Sequence, residues 1–188
     1  MRISANKFAT LSEDQMRIAI SGKSGCGNTT VTRLVSEALG FEMINFTFRT
    51  LAEEQSIDFW QLCKLAESDD SYDLEVDRRQ VEMARSHQRC VLGSRLAIWM
   101  LKEADLKVYL DATVEERARR IAEREGGTIE EKMAETTRRD EKDSARYKRL
   151  YGIDNSDTSI VDLLIDTTTL SAEEVASLII EEVGRREA

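Results

Sequence analysis

At 188 residues the chain can hold one domain with a substantial core, or one domain carrying a small insert. A formal net charge of −9 leaves no basic footprint for non-specific nucleic-acid binding, so no nucleic-acid partner is expected. No apolar run approaches the roughly 20 residues of a membrane span and no signal peptide is visible, so no membrane partner is expected either.

Met1 to Gln15 shows mixed polarity and little periodicity, and reads as a peripheral N-terminal extension to one domain over residues 16–188. Arg17 to Ser21 is a short apolar run of strand character. A glycine-rich turn follows. Val31 to Leu39 is then apolar at helical spacing and is stopped by Gly40, which predicts a helix from about Thr29 to Leu39. A strand that breaks into such a turn and opens a helix is the geometry of a phosphate cradle. Glycines permit close backbone approach, successive N–H groups converge on an anion, and the helix N-terminus adds its positive dipole end.

The spacing from Gly22 to Gly27 to Thr29 fits G-x4-G-x-[ST], with Asn28 where the motif normally has lysine. The candidates for holding donor phosphates are therefore Gly22, Lys23, Ser24, Gly25, Cys26, Gly27, Asn28, Thr29 and Thr30. Thr29 is the candidate hydroxyl ligand for Mg2+. Lys23, near the start of the turn, is the candidate to supply the displaced positive charge. The bland alternative is a turn that only joins a strand to a helix.

Further along, Phe41 to Asn45 is a second strand candidate. Residues 46–87 read as a helical insert without a strand, broken around Ser56 and around Ser68–Ser71. Arg89 to Gly93 is a short apolar third strand, as a buried parallel strand should be. Leu96 to Lys102 is helical, and Leu106 to Asp111 is the fourth strand. Thr113 with Glu116, Thr128 with Glu131 and Ser171 with Glu174 each have capping-box spacing. They open helices to Glu125, to about Leu150 and to the C-terminus, with Val161 to Asp166 as a fifth strand before the last. Val175, Leu178, Ile179 and Val183 share a face of that final helix. Alternating strands and helices predict an α/β fold, a parallel sheet of five strands covered on both faces. Residues 46–87 and 113–150 exceed what crossovers need and are candidate substrate-covering parts.

Arg117, Arg120 and Arg124 form one helical stripe, and Arg139, Asp143 and Arg146 form another. Guanidinium groups bind phosphoryl oxygens bidentately and stabilise charge that moves in transfer. The alternative is a solvated face of ordinary i,i+4 pairs. Arg95 directly follows the third strand, at the carboxyl edge where open α/β sheets bind ligands. Trp60 and Trp99 read as core, and His87 as a surface or capping residue. Cys26, Cys63 and Cys90 lack framework or C-x-x-C spacing and read as free thiols in a cytoplasmic protein.

Several segments together resemble the cytidylate kinases, in the nucleoside monophosphate kinase group of P-loop proteins, and look most like the archaeal-type branch. V-L-G-S-R-L-A at 91–97 resembles the segment whose arginine contacts the monophosphate, which points to Arg95. L-D-A-T at 110–113 followed by E-E-R-A-R-R resembles the fourth strand and lid helix, implying triphosphate contacts by Arg120 and Arg124. R-x3-D-x2-R at 139–146 is similar to the lid signature that closes on the acceptor, and F-R-T-L-A at 48–52 to the segment whose arginine, here Arg49, holds its phosphate. The resemblance implies a three-layer αβα P-loop fold with a helical monophosphate-binding insert at 46–87 and a helical lid at 113–150. It also implies ATP as donor, Mg2+ bridging the phosphates, CMP or dCMP as acceptor, and small nucleotides as the only partners of a monomer. Lys23, Arg120, Arg124 and Arg139 would act on the transferring group. Arg49, Arg95, Arg139, Asp143 and Arg146 would hold the acceptor, with Asp143 orienting Arg139 or touching the base.

The chain departs from that pattern at Asn28, at Gly93, where related kinases carry an acid, and in a shortened turn between Ile44 and Arg49. Two alternatives stay open. One is a P-loop kinase for a different nucleotide or small molecule. The other is a nucleotide-binding protein that has lost transfer.

Overall fold

The computed structural model describes residues 15–188. The expected N-terminal extension lies outside the described residues except for Gln15. Five strands form one parallel sheet in the order β2-β3-β1-β4-β5. They are β1 (Met16–Gly22), β2 (Glu42–Ile44), β3 (Arg89–Gly93), β4 (Leu106–Asp111) and β5 (Leu163–Asp166). The apolar runs of β3 and β4 end where the sequence predicted. The second and fifth strands are shorter than expected, β2 beginning at Glu42 and β5 at Leu163.

Period-two alternation divides β1 between two cores. Ile18 and Ile20 face a cluster with Val31 and Val35 of α1 (Asn28–Leu39) and Ile179 of α8 (Ala172–Glu187). Ala19 faces Leu92, Ile98 and Leu101 on the other side. The sheet is thus the middle of three layers. Leu178, expected on the buried face of α8, is exposed instead. Val175, Ile179 and Val183, at spacings of four, already fill the contact.

Residues 46–87 form α2 (Phe48–Glu54), α3 (Phe59–Ala66) and α4 (Ser71–Ser86), broken where expected. They close on a small core of Phe46, Leu51, Ala52, Leu62 and Val76. Trp60, expected in the core, stands 75% exposed on α3, because Leu62 two residues on takes the inward position. Trp99 packs edge-on to Tyr109 at the margin of the second core, and His87 caps the C-terminus of α4.

After β3 comes the single turn α5 (Ala97–Met100), and after β4 the helices α6 (Val114–Glu125) and α7 (Ile129–Tyr151). Thr128/Glu131 and Ser171/Glu174 form complete capping boxes. At α6 only half of the predicted box forms. Thr113 accepts from the Glu116 amide, while the Glu116 carboxylate turns to Arg119 and Arg120. A charge-assisted bond to a guanidinium outweighs one to a neutral amide.

Candidate active site

The carboxyl ends of β1, β3 and β4 meet at one edge of the sheet, where the strand order switches direction. From β1 the chain runs into the loop 22–27. Gly25 takes a φ of +87° and lies so close to α6 that a β-carbon there would sit 2.9 Å from Arg117 Cβ. Gly27, at φ +96°, precedes α1, whose first turn has no side-chain cap. The N–H groups of Asn28, Thr29 and Thr30 therefore lack intrahelical acceptors and open into the cleft as anion donors. The Cys26 amide is engaged with the Lys23 carbonyl. Its thiol is buried beneath the loop, where burial pushes it up to about 11, so it is an inert packing group.

Asn28 does not take over the missing lysine's task. Its Nδ2 donates to the Gly22 carbonyl at 2.6 Å and ties the end of β1 to the start of α1. The positive charge comes from other elements. A cavity of about 540 Å3 is walled by the loop and by Lys23, Arg95, Arg120, Arg124 and Arg139. Lys23 Nζ lies 3.9 Å from Asp140 of α7. Arg95 donates to Ser24 Oγ at 3.0 Å and pairs with Asp143 at 3.2 Å. Arg120 is half-buried and held by Glu116, the Gly25 carbonyl and Thr167. Arg124 is exposed at the rim beside Glu125. Arg139 also stands at the rim, with no ion pair among the described residues; desolvation in the cleft and then the charge of Arg95 lower its basicity.

Three sequence expectations change. Asp143 pairs with Arg95 and Arg146 rather than with Arg139. Arg49 is exposed on α2, its guanidinium 4.4 Å from the centre of the Phe59 ring, and lines none of these cavities. Arg117, on the candidate ligand stripe, is 4% exposed and is a brace. It pairs with Asp140 at 2.8 Å and donates to the Ser24 carbonyl at 3.2 Å. Asp140, which the sequence reading missed, thereby joins α6, α7 and the loop. Arg146, paired with Asp73 of α4 at 3.1 Å, borders the second side of the cleft.

A metal ion has few protein ligands here. Among the described residues no group of three His, Cys, Asp or Glu could enclose one. Thr29 is exposed on the wall of the loop cavity. A hydroxyl supplemented by water and a ligand's phosphates suits Mg2+, which retains much of its hydration. Gly93 supplies no carboxylate to orient that water, and Thr32 fills the space a side chain there would need. A β-carbon there would lie 2.0 Å from Thr32 Oγ1.

A second cavity, about 450 Å3, continues from Gly27, Thr30 and Arg120 toward Arg119, Thr168 and Val175. The site can therefore hold a polyphosphate along the loop with a bulkier group beyond it, facing a second anion near Arg95, Arg139 and Arg146.

Residues 17–169 match the family model described as the cytidylate kinase-like family. The chain is 44% identical over 175 residues to "Cytidylate kinase 2" of Borreliella burgdorferi, covering 91% of this chain and 97% of that one. It is 45% identical over 152 residues to "Cytidylate kinase" of Thermococcus sibiricus, covering 80% of this chain and 78% of that protein. Among solved structures, shikimate kinase from Acinetobacter baumannii superposes with a TM-score of 0.62 at 17% identity, over 93% of this chain and 96% of that one, which shows the shared P-loop kinase fold. Taken with the loop and its facing arginines, these matches show that the chain belongs to the cytidylate kinase-like family of P-loop phosphotransferases.

Proposed function

We propose that the protein transfers the γ-phosphoryl group of ATP to CMP or dCMP. One observation carries the reading: Arg139, without an ion pair among the described residues, lines the phosphate-loop cavity together with Arg95, and desolvation and then the charge of Arg95 lower its basicity. Like charges at close quarters are costly unless an anion lies between them. A transferring phosphoryl group, between a donor on the loop and an acceptor on the arginines, is such an anion.

Phosphoryl transfer asks for alignment and charge stabilisation more than for covalent chemistry. In this reading the first-turn amides of α1 and Lys23 hold the β- and γ-phosphates. Arg120 and Arg124 cover the γ-phosphate from α6, and the second cavity takes the donor nucleoside. Arg95, Arg139 and Arg146 hold the acceptor phosphate; Asp143 spaces Arg95 and Arg146. Thr29 Oγ1 would hold Mg2+, which supplies neutralisation of the phosphate charge. Helices α2–α4 serve as the acceptor-binding insert and α6–α7 as the lid that excludes water. The enzyme acts as a monomer on the cytoplasmic nucleotide pool.

The test is acceptor profiling with ATP and Mg2+ against CMP, dCMP, UMP and AMP, followed by ADP release and product identification. CDP or dCDP formation well above the other products is expected, and turnover of AMP alone would overturn the substrate assignment. Asn28 and the sterically closed position 93 favour a second reading, a nucleotide-binding protein without transfer. Nucleotide binding without any diphosphate product would support that one.

A further inference from the structure

We propose that Asp77 of α4 reads the acceptor's base by accepting a hydrogen bond from its exocyclic amino group; this deepens the acceptor reading above and rests on it. Past Arg95 and Arg146 the cleft leads into a small cavity of about 150 Å3. Phe48, Leu96 and Tyr147 give it the apolar surfaces that a flat ring can lie against. Its polar wall comes from α4, where Asp73 and Asp77, four residues apart, share a face.

The two carboxylates are not equivalent. Asp73 is committed to Arg146 at 3.1 Å. Asp77 forms no ion pair among the described residues, and its Oδ2 accepts from the Tyr151 hydroxyl at 2.6 Å. That bond orients the carboxylate and leaves Oδ1 uncommitted. Burial pushes the Asp77 carboxyl above the usual range, so a further N–H donor would stabilise its charged form. Arg146, on the same cavity, is already committed to Asp73 and Asp143, so it does not occupy this acceptor.

Cytosine carries the complementary edge, an amino donor at C4 next to ring and carbonyl acceptors. Uracil has a carbonyl at C4, whose lone pairs would face the carboxylate, and guanine also presents an oxygen there. Adenine shares the amino group, so the small cavity rather than Asp77 would turn away its larger ring.

The experiment compares kcat/KM for CMP and UMP at pH 8 in the unaltered protein and in Asp77→Asn. An amide can donate to a C4 carbonyl where a carboxylate cannot. The unaltered protein should prefer CMP by about 10²-fold or more, as expected when a mismatched base leaves a buried group unpaired. Asp77→Asn should lower that ratio by at least about 10-fold, a change that loss of fold alone would not produce. A ratio within about twofold of the original, with CMP still turned over, would overturn the assignment. Should the variant not fold, the unaltered protein is assayed with the 5′-monophosphate of the pyrimidin-2-one riboside, which lacks the C4 amino group and adds no bulk. A loss of about 10²-fold against CMP supports Asp77 as the reader, and equal turnover overturns it. Failure to phosphorylate any nucleoside monophosphate would instead remove the kinase reading, and this inference with it.

Discussion

A β-carbon at position 93 would meet three atoms of Thr32, the nearest at 2.0 Å. The identity of this residue is thus dictated by the helix packed behind its strand. Gly93→Ala should therefore push α1 off β3 and cost about 1–3 kcal/mol in urea unfolding, the usual range for overpacking. Thr32→Ala in that background should recover part of the loss, since the hydroxyl is the closest contact. Full additivity of the two changes would contradict the packing account. Lys23 bears the corresponding test on catalysis. Its ammonium lies on the wall of the phosphate cavity while Asn28 is occupied with Gly22. Lys23→Ala should reduce kcat/KM by about 10²-fold or more, as loss of a preorganised charge does. An unchanged rate would show that this ammonium is not used.

Among the elements, α7 docks on the loop through one carboxylate. Asp140 is joined to Arg117 at 2.8 Å and to Lys23 at 3.9 Å, and Arg117 is 4% exposed. Asp140→Ala would leave a buried guanidinium without its counter-charge, which costs about 3–5 kcal/mol. Urea unfolding should show it, and a loss below about 1 kcal/mol would mean that the pair is a surface one. The sequence displayed the α7 stripe Arg139, Asp143 and Arg146 because those residues recur at helical spacing. Asp140 lies about 100° round the helix from Arg139 and so was invisible to that pattern. Arg117 failed in the opposite sense. It lies on the Arg120/Arg124 stripe, and only the approach of Gly25 shows that its end of the stripe is covered. The strands were legible because β3 is a short apolar run and β4 is apolar apart from Lys107 and its terminal Asp111, each between turns. Glu116 was misread at α6, since spacing cannot tell which of two donors a carboxylate will take.

Across the whole molecule, one face of α4 is fastened to α7. Asp70, at the N-cap of α4, pairs with Arg149, and from α4 itself Asp73 pairs with Arg146 and Asp77 accepts from Tyr151 of α7. These bonds join α4 to α7 on the side of the cleft away from the loop's amides. The loop cavity itself is lined by Lys23, Arg95, Arg120, Arg124 and Arg139 and by no carboxylate, in a chain whose net charge is −9. Such a positive cleft in an acidic protein draws in phosphorylated small molecules while the outer surface repels polyanions.

In the proposed reaction a loop-bound polyphosphate and an arginine-bound monophosphate meet end to end in one cleft. Calorimetry with a bisubstrate compound, adenosine and cytidine joined through a chain of 5′-phosphates, tests it most directly. Joined ligands that fill both sites gain the effective concentration of an intramolecular encounter, so the compound should bind at least about 10²-fold more tightly than ATP or CMP alone. Affinity no greater than that of ATP would show that the two sites do not face each other, contradicting the account.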